Sequence, residues 1–215
     1  MTHLDAPAVA AVLDREHAAA RAQRAERGRA ANRTASGTAP VDFRTSDRHR
    51  TAYLAIGPDQ GRWLYGVVLA TGAREIVEFG SSFGISTIYL AAAAAETGGR
   101  VTGTEFHAPK ADKARANLGD AGLTAEILQG DALDTLAGDG PDIDLLFLDG
   151  AKDLYLPVLR LLEPRLRKGS VVIADNIPLD RETDFIKAVS ASGGGYVTTV
   201  MQFGKGGMSH SVRLT

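Results

Sequence analysis

The chain has no cysteine, which removes disulfides, thiolate metal sites and cysteine nucleophiles from consideration. It has little net charge, a formal -2, so no global field points to nucleic acid or to an anionic membrane. It also lacks a long apolar run. The longest, "IYLAAAAA" from Ile88, is far short of the ~20 residues that cross a bilayer. No apolar signal-peptide core stands near the start, so the expectation is a cytoplasmic protein with neither membrane nor nucleic acid as partner. What remains is ordinary for a globular protein: 215 residues, 44% hydrophobic and 23% charged, enough for one domain with a substantial core.

The composition changes after about Arg50. Residues 1–50 hold nine arginines against six acidic residues, and "AVAAVLDREHAAARAQRAERGRAANR" reads as a helix with few large apolar side chains. Such a helix buries little by itself. We therefore divide the chain into an N-terminal helical arm or cap, 1–50, and a main domain, 51–215. A dimer arm, a flap over a site and a frayed solvated helix are all open for the first part. Its basic residues alternate with Asp14, Glu16 and Glu26 and have no aromatic companions, which weakens a nucleic-acid arm.

From Pro58 onward the pattern alternates. "PDQGRWLYGVVLATG" reads as a helix with proline in its first turn and Gly72 past its end. Short apolar strands follow ("EIVEF", "RVTGTE", "AEILQ", "DLLFLD", "SVVIAD"), separated by helical stretches beginning near Gly84, Pro109, Asp131 and Tyr155. Strands alternating with helices predict a Rossmann-like, doubly wound, mostly parallel α/β sheet. The end departs from this: "GYVTTVMQF" and "MSHSVRL", joined by "GKGG", predict an antiparallel C-terminal hairpin.

In such sheets ligands gather beyond the carboxyl ends of the strands. There the sequence delivers Gly80 to Gly84, then Glu105, then Gly130 and Asp131, then Asp149, then Asp175 and Asn176. Any one of these is explained as a helix cap or turn former; contributions from all five strands weaken that explanation. No lysine follows Gly84, so the turn is not a triphosphate cradle. Gly80 and Gly84 alone do not complete a dinucleotide fingerprint. Glu105 stands where an acid grips two ribose hydroxyls, Ser82 and Ser86 offer hydroxyls to a carboxylate or ammonium group, and Glu78 could face a cation. Ribose, adenine, ammonium and carboxylate together describe S-adenosylmethionine. The five histidines (His3, His17, His49, His107, His210) show no metal spacing.

"GPDQGRWL", "VEFGSSFGIST", "GTEFHAPKADKARANL", "GDALDTL" and "DLLFLDGAKDLYLPVLRLLEPRLRKGSVVIADN" resemble the cation-dependent class I S-adenosylmethionine O-methyltransferases. That family includes catechol and caffeoyl-coenzyme A O-methyltransferases and small bacterial relatives. The resemblance runs from about Ile56 to the C-terminus and is most specific from Asp144 to Asn176, where D-x-x-K-D-x-Y is followed by A-D-N. It implies Mg²⁺ or another divalent cation on Asp149, Asp175 and Asn176, hard oxygen donors suited to that ion, with Lys152 as general base. For the cofactor it implies Glu78, Gly80, Ser82, Gly84 and Ser86 around the methionine part and Glu105 on the ribose. Asp131 and Ala132 fall near adenine, and Asp149 lies beside the cofactor; Asp131 serves equally well as a cap for the next helix.

The expected acceptor is a small aromatic with vicinal oxygens, and the family suggests a homodimer. Two positions depart from the mammalian catechol enzymes. Gly150 replaces a histidine that packs on adenine, and "QFGKGGM" offers Lys205 in place of a glutamate, which puts catechol itself in question. Two other classes stay open: a nicotinamide-dependent oxidoreductase, and a non-catalytic S-adenosylmethionine-binding protein.

Overall fold

The computed structural model describes residues 2–31, 42–203 and 206–215, so Lys205 lies outside the described residues. Proline at its first turn and a left-handed Gly72 at its end bound helix α3, Pro58–Thr71. β1, Glu75–Phe79, then runs into the glycine turn, and Gly84 (φ +85°) opens α4, Ile85–Thr97. Ala91, Ala92, Ala93 and Ala94 of α4 are almost wholly buried, because small side chains let it lie between the sheet and its neighbours. α3 comes so close that a β-carbon on Gly61 would overlap the Tyr89 ring, 2.2 Å away.

The chain continues through β2 (Arg100–Glu105), α5 (Ala108–Asp120), β3 (Glu126–Gln129), the short α6 (Ala132–Thr135), β4 (Ile143–Leu148), α7 (Tyr155–Leu162) and β5 (Leu166–Ile177). α8 (Asp184–Ser190) leads to β6 (Tyr196–Phe203) and β7 (Gly206–Arg213). The seven strands stand in the order β3-β2-β1-β4-β5-β7-β6. All pairings are parallel except those of β7, which is antiparallel to both β5 and β6. This is the Rossmann-like sheet with a C-terminal hairpin that defines the class I methyltransferase fold.

Two apolar clusters cover the faces of the sheet. One joins α3, α4 and α5 to the sheet; the other packs α7 and α8 against β4 and β5. The first also contains Val9, Val12 and Leu13, from helix α1, Pro7–Ala31. The helix that buries little by itself thus buries one face against the main domain. Three large apolar side chains on one face suffice because α4 and α5 already present a groove.

β5 is longer than the "SVVIAD" predicted, beginning at Leu166. Two helices escaped the sequence reading: α8, and α2, Asp47–Thr51, which is capped by Ser46. Among the described residues, no helix is long and apolar enough to cross a membrane.

Candidate active site

The strand order reverses at β1, which pairs with β2 on one side and β4 on the other. A crevice opens at this point between diverging crossovers. Gly80 sits in it at φ +95°, with Asp149 and Gly150 so close that a β-carbon would lie 2.6 Å from the Gly150 backbone. Only glycine permits both the conformation and the approach. Ser82 is also left-handed, φ +50°, and its amide donates to Glu105 Oε2 at 2.9 Å. Glu105 Oε1 accepts from the His107 amide at 2.8 Å. Two backbone amides thus lock this carboxylate in place. Ser82 Oγ is buried with no partner.

Beneath the turn, Glu78 is fully buried. Its Oε2 accepts from Ser81 Oγ at 2.6 Å and from Thr87 Oγ1, while Oε1 is unpartnered. Burial raises its pKa. Glu78, Gly84 and Ser86 are not on the wall of the main cavity. Ser86 lines a small adjoining pocket of about 10 Å³ with Ser82 and Tyr53.

The main cavity, about 1340 Å³, has Gly80, Ser82, Glu105, Asp131, Ala132, Asp149, Lys152, Asp175 and Asn176 in its lining. Asp175 and Asn176 are neighbours in β5, and in a regular strand their side chains would point to opposite faces. Here the register with β7 shifts between Ala174 and Ile177, and Asn176 takes φ +59°. This β-bulge turns both side chains toward Asp149.

Asn176 Nδ2 lies 3.1 Å from Asp149 Oδ1 and 3.0 Å from Asp175 Oδ2. Turning the amide over would present its oxygen to the same point. Gln60 Nε2 donates to Asp175 Oδ1 at 2.7 Å, and the Tyr155 hydroxyl donates to the Asp175 carbonyl at 3.1 Å. Burial, then the Asp175 and Glu78 charges, push the Asp149 carboxyl well above the usual range; burial also raises Asp175. Two carboxyls held this close are stabilised in their charged forms by a cation between them, so the donor set fits a hard divalent ion. Among the described residues no group of three or more His, Cys, Asp or Glu could hold a metal; this set has two carboxylates and an amide. Lys152 is exposed on the cavity wall, and its charge lowers the pKa of both carboxyls.

At the other end, Asp131 Oδ1 caps α6 through the Leu133 amide, 3.1 Å. Its Oδ2 accepts from Arg44, 2.7 Å from Nη2. Arg44 lies 4.5 Å over the Phe43 ring, which meets Phe106 edge-on at 5.5 Å, and His107 Nε2 approaches the Phe43 carbonyl at 3.0 Å. Sequence reasoning missed this strap, and also Gln60. The only prior signal for Gln60 was its place in "GPDQGRWL"; for Phe43 and Arg44 there was none, because Phe106, His107 and Asp131, which tie them to the site, lie more than sixty residues away. Of the histidines, His17 is buried and meets the Tyr89 hydroxyl at 3.1 Å, a satisfied packing role.

Residues 77–177 match the model of a methyltransferase domain. The chain is 35% identical over 136 residues to a catechol O-methyltransferase of Mycobacterium tuberculosis, covering 61% of each chain. It is 32% identical over 134 residues to one of Niastella koreensis, covering 59% of this chain and 60% of that one. The matches thus span about three fifths of these curated relatives. Among solved structures, the O-methyltransferase of Bacillus cereus in complex with S-adenosylhomocysteine superposes with a TM-score of 0.68 at 29% identity, covering 74% of this chain and 82% of that one. These likenesses support a class I S-adenosylmethionine-dependent O-methyltransferase family for the chain.

Proposed function

We propose that the protein transfers a methyl group from S-adenosylmethionine to a hydroxyl of a small aromatic acceptor whose vicinal oxygens are held by a divalent ion. The observation that carries this reading is the meeting, in one cavity, of a backbone-locked Glu105 with Asp149, Asp175, Asn176 and Lys152. When bound, the cofactor supplies an electrophilic methyl carbon, and Mg²⁺ supplies a Lewis acid that lowers the acceptor's hydroxyl pKa.

The chain's own residues do the rest. Glu105 has lone pairs left for a ribose diol. The unpartnered Ser82 Oγ, on the cavity lining, suits the methionine part, and the Gly80 turn admits it without a side chain in the way. Asp149, Asp175 and Asn176 would hold the ion, with Gln60 fixing the orientation of Asp175. Lys152 takes the acceptor's proton as its oxygen attacks the methyl carbon in line and the carbon–sulfur bond breaks. Alignment supplies much of the rate.

The test is a methyl-transfer assay over catechols and hydroxycinnamoyl thioesters, with and without chelator. Transfer should stop in excess chelator and return with Mg²⁺, while S-adenosylhomocysteine affinity stays largely intact. Full activity in chelator would sink the metal-dependent reading. The oxidoreductase alternative gains nothing from this geometry. A non-catalytic binder would be recognised by cofactor affinity without transfer to any acceptor.

A further inference from the structure

Lys110, on α5, is only 2% exposed, yet it lines the main cavity. Its ammonium group sits 5.3 Å over the Phe83 ring. No carboxylate of the described residues lies within ion-pair distance of it, and Glu105 and Asp149 act on it only from farther away. A buried ammonium without a counter-ion is costly. Lys110 is not alone. Arg27 from α1, and Arg48 and His49 from α2, line the same cavity, and they lie near enough for the Arg48 charge to act on Arg27, the Arg27 charge on Lys110, and the Arg48 and Lys110 charges on His49.

Arg27 is held by Gln23, whose Oε1 accepts from it at 2.7 Å and from the Tyr53 amide at 2.7 Å. The Gln23 amide in turn donates to the Thr51 carbonyl. Arg27, in this roof, is therefore aimed by a hydrogen bond rather than by an acid, while Arg48 is exposed. Among the described residues Arg27 and Arg48 have no ion-pair partner, and His49 Nδ1 is buried with no hydrogen-bond partner. Residues 32–41, 204 and 205 contain no aspartate or glutamate, so the rest of the chain cannot supply one.

We infer that Lys110, Arg48 and Arg27 form a carboxylate-binding subsite in the roof of this cavity, completed by the carboxylate of a bound small molecule. An arginine fork and an ammonium group suit a planar carboxylate. The inference rests on the cavity holding the ligands proposed above, and those offer two sources: the amino-acid end of the cofactor, or an acid group on the acceptor ring.

Calorimetry with S-adenosylhomocysteine and with 5′-methylthioadenosine, which lacks the amino-acid arm, distinguishes the first source. Relative kcat/KM for 3,4-dihydroxybenzoate and catechol distinguishes the second. Each is measured on the wild type, Lys110→Met, Arg48→Gln and the charge-keeping Lys110→Arg. In Lys110→Met and Arg48→Gln, at least one of the two carboxylate preferences should fall by about tenfold or more, and Lys110→Arg should retain it. If S-adenosylhomocysteine binds and catechol is methylated but both preferences survive within about twofold, the subsite is overturned and the methyltransferase reading stands. If the wild type binds no S-adenosylhomocysteine, both fall. Ligand-free Lys110→Met should melt no lower than the wild type, since methionine replaces a buried charge and still packs on Phe83; a clearly lower melting point would mark Lys110 as structural and overturn the subsite.

Discussion

At the scale of single residues, Glu105 and Lys152 divide the work that the cavity is proposed to do. Glu105 is positioned by two backbone amides, so its carboxylate is preorganised for a diol. Glu105→Ala should weaken S-adenosylhomocysteine binding by about 1.5–3 kcal/mol, the scale of charge-assisted hydrogen bonds, as read by calorimetry; unchanged affinity would remove it from the site. Lys152 stands on the wall beside both carboxyls. Lys152→Ala should leave cofactor affinity intact and lower kcat by about 10²–10⁴-fold, the contribution of a general base. Steady-state rates across pH should show the deficit shrinking as pH rises and the acceptor hydroxyl ionises unaided. The positions of these residues after their strands were legible in the sequence. The fate of Asp131 was not: its two oxygens go to a helix cap and to Arg44, and that arginine comes from 87 residues away.

At the scale of elements, α1 and β5 carry the lessons. α1 is pinned by Glu16 as well as by its apolar face. This buried carboxylate accepts from Tyr53 at 2.7 Å and Arg15 at 2.9 Å and pairs with Lys113 at 3.2 Å. Burial alone would raise its pKa, but those three partners outweigh burial and hold it below the ordinary value of 4.5; the Tyr53 hydroxyl is pushed up to about 12. A depressed carboxylate contributes stability that is present above the unfolded value and lost as pH falls through the folded one. Glu16→Gln should therefore cost about 1–3 kcal/mol at pH 7, measured by urea unfolding, and the gap to the wild type should close as pH falls below 4.5. α1 was readable as a helix, but its docking was not, since the groove that receives it belongs to α4 and α5. β5 was readable as a strand, but its bulge was not, because a register shift exists only relative to the strand beside it.

At the scale of the whole molecule, the sheet has one open edge of note. Among the described residues β6 pairs only with β7, and it leaves Val197 and Val200 exposed, at 57% and 40%. Unpaired edges with apolar side chains favour association. We propose that the chain works as a homodimer, so light scattering at micromolar concentration should give the mass of two 22.6 kDa chains; a monomer under those conditions would refute it.

The sequence by itself determined the alternation of strands and helices, the glycine turn after β1, the acidic residues at the strand ends and the terminal hairpin. These are local properties: side-chain periodicity, backbone freedom and the spacing of turn formers act within a few residues. Only the tertiary structure decided that Asp175 and Asn176 face the same way, that Phe43 and Arg44 reach across to Asp131, and that Lys110 is buried beneath a roof of cations. Each of these depends on segments far apart in the chain, and their relative placement is set by how the helices close over the sheet, a packing outcome that no short stretch of sequence encodes.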